Sequence, residues 1–250
     1  MQEDLSQYVP RRVLVSVAHA DDIEFGMSGT VARWVQAGAE ATYVITTDNA
    51  SGSNERDVDL KQLIQARMAE QHAAAREIGV EDVRFLGYKD GTLEPTLTLR
   101  RELTRIIRDV RPDVVMTLDP TTMIALDNTY INHPDHRAAG EATLYAVFPS
   151  AETRPIFLEL LDEGLGPHHV DYIFLTLSNQ PNHRVDISSV IELKRAALRW
   201  HKSQIGDDEI DMIMAWNKQA GEEIGTDYAE TFRVINLKRM EARTGADAPA

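Results

Sequence analysis

The chain contains no cysteine. That removes disulfides, thiolate nucleophiles and thiolate ligands at once, so a metal site would have to use His, Asp, Glu or backbone oxygen. Basic residues are few beside acidic ones, 26 Lys and Arg against 40 Asp and Glu, for a formal charge of -14. A nucleic-acid surface needs clustered cations, so that class of partner is excluded, and solubility is the plain reading of the excess. No apolar run is long enough to span a bilayer. The first residues, MQEDLSQYVPRR, lack the basic-then-apolar order of a secretory signal, so cytoplasmic residence is expected. Linkers rich in Pro, Gly or Ser are also missing. The 250 residues therefore read as one domain, with a core over about 12–237 and a disordered tail at 244–250.

Four short runs have the length and β-branched character of strands: RVLVSVA (12–18), ATYVITT (41–47), DVRFLG (82–87) and DVVMTLD (113–119). Helical patterns separate them. These are TVARWVQAG (30–38), closed by Gly38, then LKQLIQARMAEQHAAAREIGV, stopped at Gly79, and LRRELTRIIRDV (99–110). This alternation predicts an α/β fold: a Rossmann-like, mostly parallel sheet flanked by helices on both faces. Less regular C-terminal additions follow. HPDHRAAGEATLYAVF (133–148) predicts a helix with Pro134 at its start. DYIFLTLS (171–178), NHRVDIS (182–188) and YAETFRVINL (228–237) predict strands around a helix in SSVIELKRAALRWHKSQI.

Open parallel sheets bind ligands beyond the carboxyl ends of their strands. Two polar clusters fall there: HADD (19–22) after the first strand and NHPDHR (132–137) after the fourth. His133 precedes a proline and should sit just outside the helix, with His136 in its first turn. His19 and Asp22, three residues apart in a strand-to-helix turn, can converge on one point. His19, Asp22 and His136 would then offer two imidazoles and one carboxylate, the composition of a catalytic zinc site or of a non-haem iron site. Asp21, beside such a metal, is placed to act as general base. His133 could donate to an oxyanion, and Asp135 could fix a histidine tautomer.

AHADD followed by HPDH, in a chain of this length and element order, resembles the LmbE-like, or PIG-L-type, family of zinc-dependent N-deacetylases. Arg67 and Glu70 in RMAEQHAAAREIGV match the family's arginine helix, and VDISSVIELKRAALRWHKSQ matches its late helix. The resemblance spans most of residues 12–237. It implies one zinc ion held by His19, Asp22 and His136, with Asp21 as base. It also implies that His133 stabilises the tetrahedral intermediate or protonates the amine, that Asp135 orients a histidine, and that Arg67 lies on the substrate side. The implied reaction removes an N-acyl group, by expectation acetyl, from an amino sugar or a related small molecule such as a glycan or glycoconjugate. Two departures stand out. Ala20 replaces the common proline of the first motif, and the loops TTDNASGSNERD (46–57) and PTTMIALDNTYIN (120–132) differ from the family's forms; both should border the pocket.

Other features have plainer explanations. FGMSGT (25–30) has GxxG spacing rather than GxGxxG, so helix packing is preferred to dinucleotide binding. Arg67 would ordinarily be a surface partner of Glu70, one turn along. Tyr130 can reach an oxyanion and joins Arg67 as a substrate-binding candidate, although loop tyrosines more often pack. His72 and His201 read as helix residues, and Glu55, Asp57 and Asp59 as a solvated loop. An iron-dependent oxygenase and a non-catalytic, metal-dependent sugar-binding module are the rival functions. Apolar helix faces permit a homo-oligomer.

Overall fold

The computed structural model describes residues 5–125 and 128–238. The tail expected to be disordered, 244–250, lies outside them. Seven strands form one sheet: β1 Arg12–Val17, β2 Glu40–Thr47, β3 Asp82–Tyr88, β4 Val114–Leu118, β5 Tyr172–Thr176, β6 His183–Asp186 and β7 Ala229–Asn236. Their order is β3-β2-β1-β4-β5-β7-β6. The first five run parallel, while β7 pairs antiparallel with β5 and β6 with β7. Every residue of β4 and β5 is buried, as is β1 from Val13 onward. This is the continuous apolar pattern that parallel strands need when both faces are covered.

The helices are α1 Asp22–Gly26, α2 Ser28–Gln36, α3 Leu60–Glu77, α4 Leu97–Val110, α5 Pro134–Tyr145, α6 Glu159–Asp162, α7 Ile191–Leu198 and α8 Asp207–Glu222. Local chemistry sets their ends. Asp59 caps α3 by accepting from the Lys61 and Gln62 amides, and Thr96 caps α4 through the Leu99 amide. Gly79, at φ 88°, lets the chain leave α3 in a conformation that L side chains resist. Helix α4 packs with α5, and α7 packs with α2 and α3. Among the described residues no helix is long and apolar enough to cross a membrane.

Two expectations need correction. The late helix ends at Leu198 instead of running on to residue 205. The helix that starts at Pro134 ends at Tyr145, and a wider turn continues over Ala146–Ala151. Helix α8 was not foreseen. It buries Ile210, Ile213, Met214, Asn217 and Gly221, one helical stripe, mainly against β7. The glycines of FGMSGT serve packing. A Cβ on Gly26 would meet Thr176 Oγ1 at 2.3 Å, and one on Gly29 would meet Ile187 Cδ1 at 2.8 Å.

Behind this contact lies a buried ion pair. Lys194 Nζ on α7 donates to Glu230 Oε1 on β7 at 2.6 Å, with both side chains fully shielded from solvent. Glu230 also accepts the Gly29 and Thr30 amides at the start of α2. Charge pairing and helix-end hydrogen bonds together offset the desolvation of the carboxylate.

Candidate active site and metal centre

The strand order reverses direction between β1 and β4, so the crevice above their carboxyl ends is where ligands bind in such sheets. The turn after β1 carries His19, Asp21 and Asp22, and the segment between β4 and α5 carries Tyr130, Asn132 and His133. His136 sits in the first turn of α5. One cavity of about 670 Å³ is lined by His19, Asp21, Asp22, Arg67, Tyr130, His133 and His136. Ser51 and Gly52 from the 46–57 loop, and Ala125 and Thr129 from the 120–132 loop, line it too.

Donor atoms of His19, Asp22 and His136 lie within 4.8 Å of one another, and those of His19, Asp90 and His133 form a second such group. Asp22 is held by the backbone: its Oδ2 accepts the Ala18 amide at 3.1 Å and the His19 amide at 2.8 Å. Its Oδ1 is thereby turned toward His136 Nε2, 3.0 Å away. The other nitrogen of that ring, Nδ1, lies 2.9 Å from Asn132 Oδ1. The Asn132 amide is fixed because its Nδ2 donates to Thr122 O. Both nitrogens of His136 therefore face oxygen acceptors. With Nδ1 directed to Asn132, Nε2 is the nitrogen left facing Asp22, where a metal would be held between them.

His19 makes the same point. Its Nε2 lies 3.1 Å from Asp90 Oδ1 and 3.4 Å from Asp135 Oδ2, yet meets neither at a hydrogen-bonding angle. Burial favours the neutral ring, but the carboxylates of Asp135, Asp22 and Asp90 outweigh it and raise the His19 pKa to about 12. Burial likewise pushes the Asp22 carboxyl up, and His136 with His19 pulls it well below the usual range. Three buried carboxylates around one imidazole form a cavity for a cation. The donor set, all nitrogen and oxygen, fits a divalent metal such as zinc.

Asp21 has a different environment. Its backbone lies at φ 97° and ψ -31°, a region that costs a non-glycine residue about 1–3 kcal/mol. The surroundings hold it there. The Asp21 amide donates to Gln71 Oε1 at 3.0 Å, the Ala20 amide donates to Asn49 Oδ1 at 2.7 Å, and Arg67 Nη2 donates to Ala20 O at 2.9 Å. Gln71 Nε2 in turn donates to Glu24, whose Oε2 lies 3.0 Å from His201 Nε2. Burial, then the neighbouring Asp22 charge, raise the Asp21 carboxyl to about 6, against the pull of Arg67.

Arg67 is therefore not the surface partner of Glu70. It is buried in the cavity wall, with Nη2 3.4 Å from Asp21 Oδ2, while Glu70 accepts from Ser203. His133 caps α5: its Nδ1 accepts the Asp135 amide at 3.2 Å, and its ring stands edge-on to His19 with centroids 4.8 Å apart. Burial, then the charge of His19, lower the His133 pKa. Asp135 lies under His19, held by the Gly91 and Leu93 amides at 2.7 and 3.0 Å. Tyr130 is half-exposed on the cavity rim, and burial raises its hydroxyl pKa. The sequence reading had missed Asp90, Asn132, Gln71 and the Glu24–His201 pair. Asp90 had a signal, since KDG follows β3 at the same sheet edge. Asn132 stood inside NHPDHR without a role.

Comparison with known proteins gives the family. The PIG-L family profile, described as GlcNAc-PI de-N-acetylase, matches residues 14–147. A diacetylchitobiose deacetylase of Thermococcus kodakarensis is 30% identical over 233 residues, covering 90% of this chain and 83% of that protein. The solved N,N'-diacetylchitobiose deacetylase of Pyrococcus horikoshii, complexed with an inhibitor, superposes with a TM-score of 0.86 at 32% identity, over 94% of this chain and 88% of that one. A probable N-acetyl-alpha-D-glucosaminyl L-malate deacetylase of Bacillus anthracis is 28% identical, over 91% of this chain and 96% of its own length. The chain thus belongs to the PIG-L (LmbE-like) family of N-deacetylases.

Proposed function

We propose that the protein is a zinc-dependent hydrolase that removes the N-acetyl group from an amino sugar or a small glycoconjugate. The observation that carries this reading is the convergence of His19, Asp22 and His136, whose donor atoms lie within 4.8 Å of one another, with Asp21 held in a strained turn beside them. The substrate class rests on relatives that act on diacetylchitobiose and on N-acetylglucosaminyl malate. His19, Asp22 and His136 would hold the metal. Zinc bound there would lower the pKa of a water to about 7 and polarise the amide carbonyl.

Asp21 accepts the proton of the attacking water. A carboxyl raised to about 6 is a stronger base than an ordinary aspartate and is still ionised at neutral pH. Arg67, against Asp21 and on the cavity wall, orients that carboxylate and meets the substrate. His133 accepts a backbone amide at Nδ1, so its neutral ring carries its proton on Nε2. That proton can stabilise the oxyanion as a hydrogen bond, while the proton that Asp21 took from the water passes to the departing amine as the C–N bond breaks. Tyr130 offers a second donor from the rim. Asp135 and Asp90, whose carboxylates approach His19 Nε2 to 3.4 and 3.1 Å, would position that ring through their charge.

The test is acetate release from N-acetylglucosamine, N,N'-diacetylchitobiose and N-acetylglucosaminyl malate, using protein of known metal content. Release that a chelator abolishes and zinc restores is expected. Zinc-loaded protein that releases acetate from none of them would overturn the proposal.

A further inference from the structure

Three large apolar side chains line the cavity without belonging to the core. Leu177, Met212 and Trp216 are 40%, 41% and 51% exposed. Met212 and Trp216 stand one turn apart on α8, outside the stripe of Ile210, Ile213, Met214, Asn217 and Gly221 by which that helix packs. Leu177 follows β5 at φ 52°, a backbone conformation that a leucine adopts only where its surroundings impose it. All three turn much of their apolar surface to solvent in the cavity.

The sheet order divides the cavity. Ser51, Gly52 and Asp90 come from the loops after β2 and β3, on one side of β1. Leu177 follows β5, and α8 packs on β7, both on the other side of β4. The hydroxyl groups of an N-acetylated sugar need polar partners, which the β2–β3 side supplies. Leucine, methionine and an indole face cannot serve hydroxyls, but they match a flat ring face rich in C–H groups. A cavity of about 670 Å³ has room for more than one pyranose.

We propose that Leu177, Met212 and Trp216 form an apolar subsite for a second ring of the substrate, joined to the N-acetylated sugar. The ring is a further pyranose or an aryl group, and the two share the flat apolar face that the subsite recognises. This rests on the deacetylase reading above.

The experiment compares kcat/KM for N-acetylglucosamine, N,N'-diacetylchitobiose and p-nitrophenyl N-acetyl-β-glucosaminide in the wild type, Trp216→Ala and Met212→Ser. The wild type should favour at least one two-ring substrate over the single sugar by about tenfold, and Trp216→Ala should remove most of that ratio. Whichever two-ring substrate leads identifies the ring. A wild-type ratio near one, or a ratio unchanged in both variants, overturns the subsite. If no acetate is released from any substrate, the deacetylase reading fails, and binding decides the subsite separately. N,N'-diacetylchitobiose should then quench tryptophan fluorescence saturably in the wild type and not in Trp216→Phe; equal quenching in both, or none in either, overturns it.

Discussion

Gln71→Met tests whether the turn that presents Asp21 is held in place for catalysis. Methionine keeps the length and packing of a fully buried side chain but removes the Oε1 acceptor and the Nε2 donor. The Asp21 amide loses its partner at a residue already strained at φ 97°, and Glu24 keeps His201 as its side-chain partner but loses the amide. Leaving these groups short of partners costs about 2–3 kcal/mol. For a chain of this size that lowers Tm by roughly 5–10 °C. Relaxation of the turn moves the Asp21 carboxylate, and a displacement of the order of 1 Å can cost about 100-fold in rate. Gln71 does not line the cavity, so KM should change little while kcat falls. Metal content should hold, because His19, Asp22 and His136 keep their own partners. The assays are thermal unfolding, metal analysis and steady-state acetate release. A variant with the expected loss of Tm but kcat within threefold of wild type would show that the network serves folding alone.

Asp21→Asn should keep its zinc and lose at least about 100-fold in kcat, whereas His19→Ala should be isolated largely metal-free; full turnover in Asp21→Asn would remove the base assignment. Asn132→Ala frees His136 Nδ1 from the acceptor that sets its tautomer and should weaken zinc binding by about 10–100-fold in competition with a chelator; unchanged affinity would assign Asn132 to loop structure only. Lys194→Met strands Glu230 with only two amide partners and should cost about 3–5 kcal/mol in denaturant unfolding, with Glu230→Gln in the same chain restoring much of it; an equally unstable double variant would show that packing, not charge, carries the effect.

The strands through Leu118 and helices α2, α3 and α4 were legible because each is apolar in its own period, and the turn residues Gly38 and Gly79 mark where helices stop; the short α1 was not legible. Helix α8 was overlooked although Gly206 and Glu209 announce its start, with the Gly206 amide donating to Glu209 Oε2 at 2.9 Å. Its apolar residues are divided between a core stripe and the cavity, which blurs a one-sided pattern. The late helix reads longer in sequence than it is for a similar reason: ALRWHKSQ keeps helical composition past Leu198, where the chain turns to bring His201 under Glu24.

By itself the sequence determined the chemistry available. Without cysteine, any metal ligands had to be His, Asp, Glu or backbone oxygen, and local spacing in two short motifs at parallel strand ends was enough to nominate His19, Asp21, Asp22, His133 and His136. Tertiary structure alone decided what those groups feel. Asp90 approaches His19 from another loop, Arg67 turns inward to Asp21, Gln71 links Asp21 to a buried Glu24–His201 pair, and Trp216 reaches the same cavity from a helix almost 200 residues away in the chain. Periodicity and capping act over a few residues, so sequence spacing reports them. Desolvation and charge depend on which distant segments converge, and only the folded chain sets that.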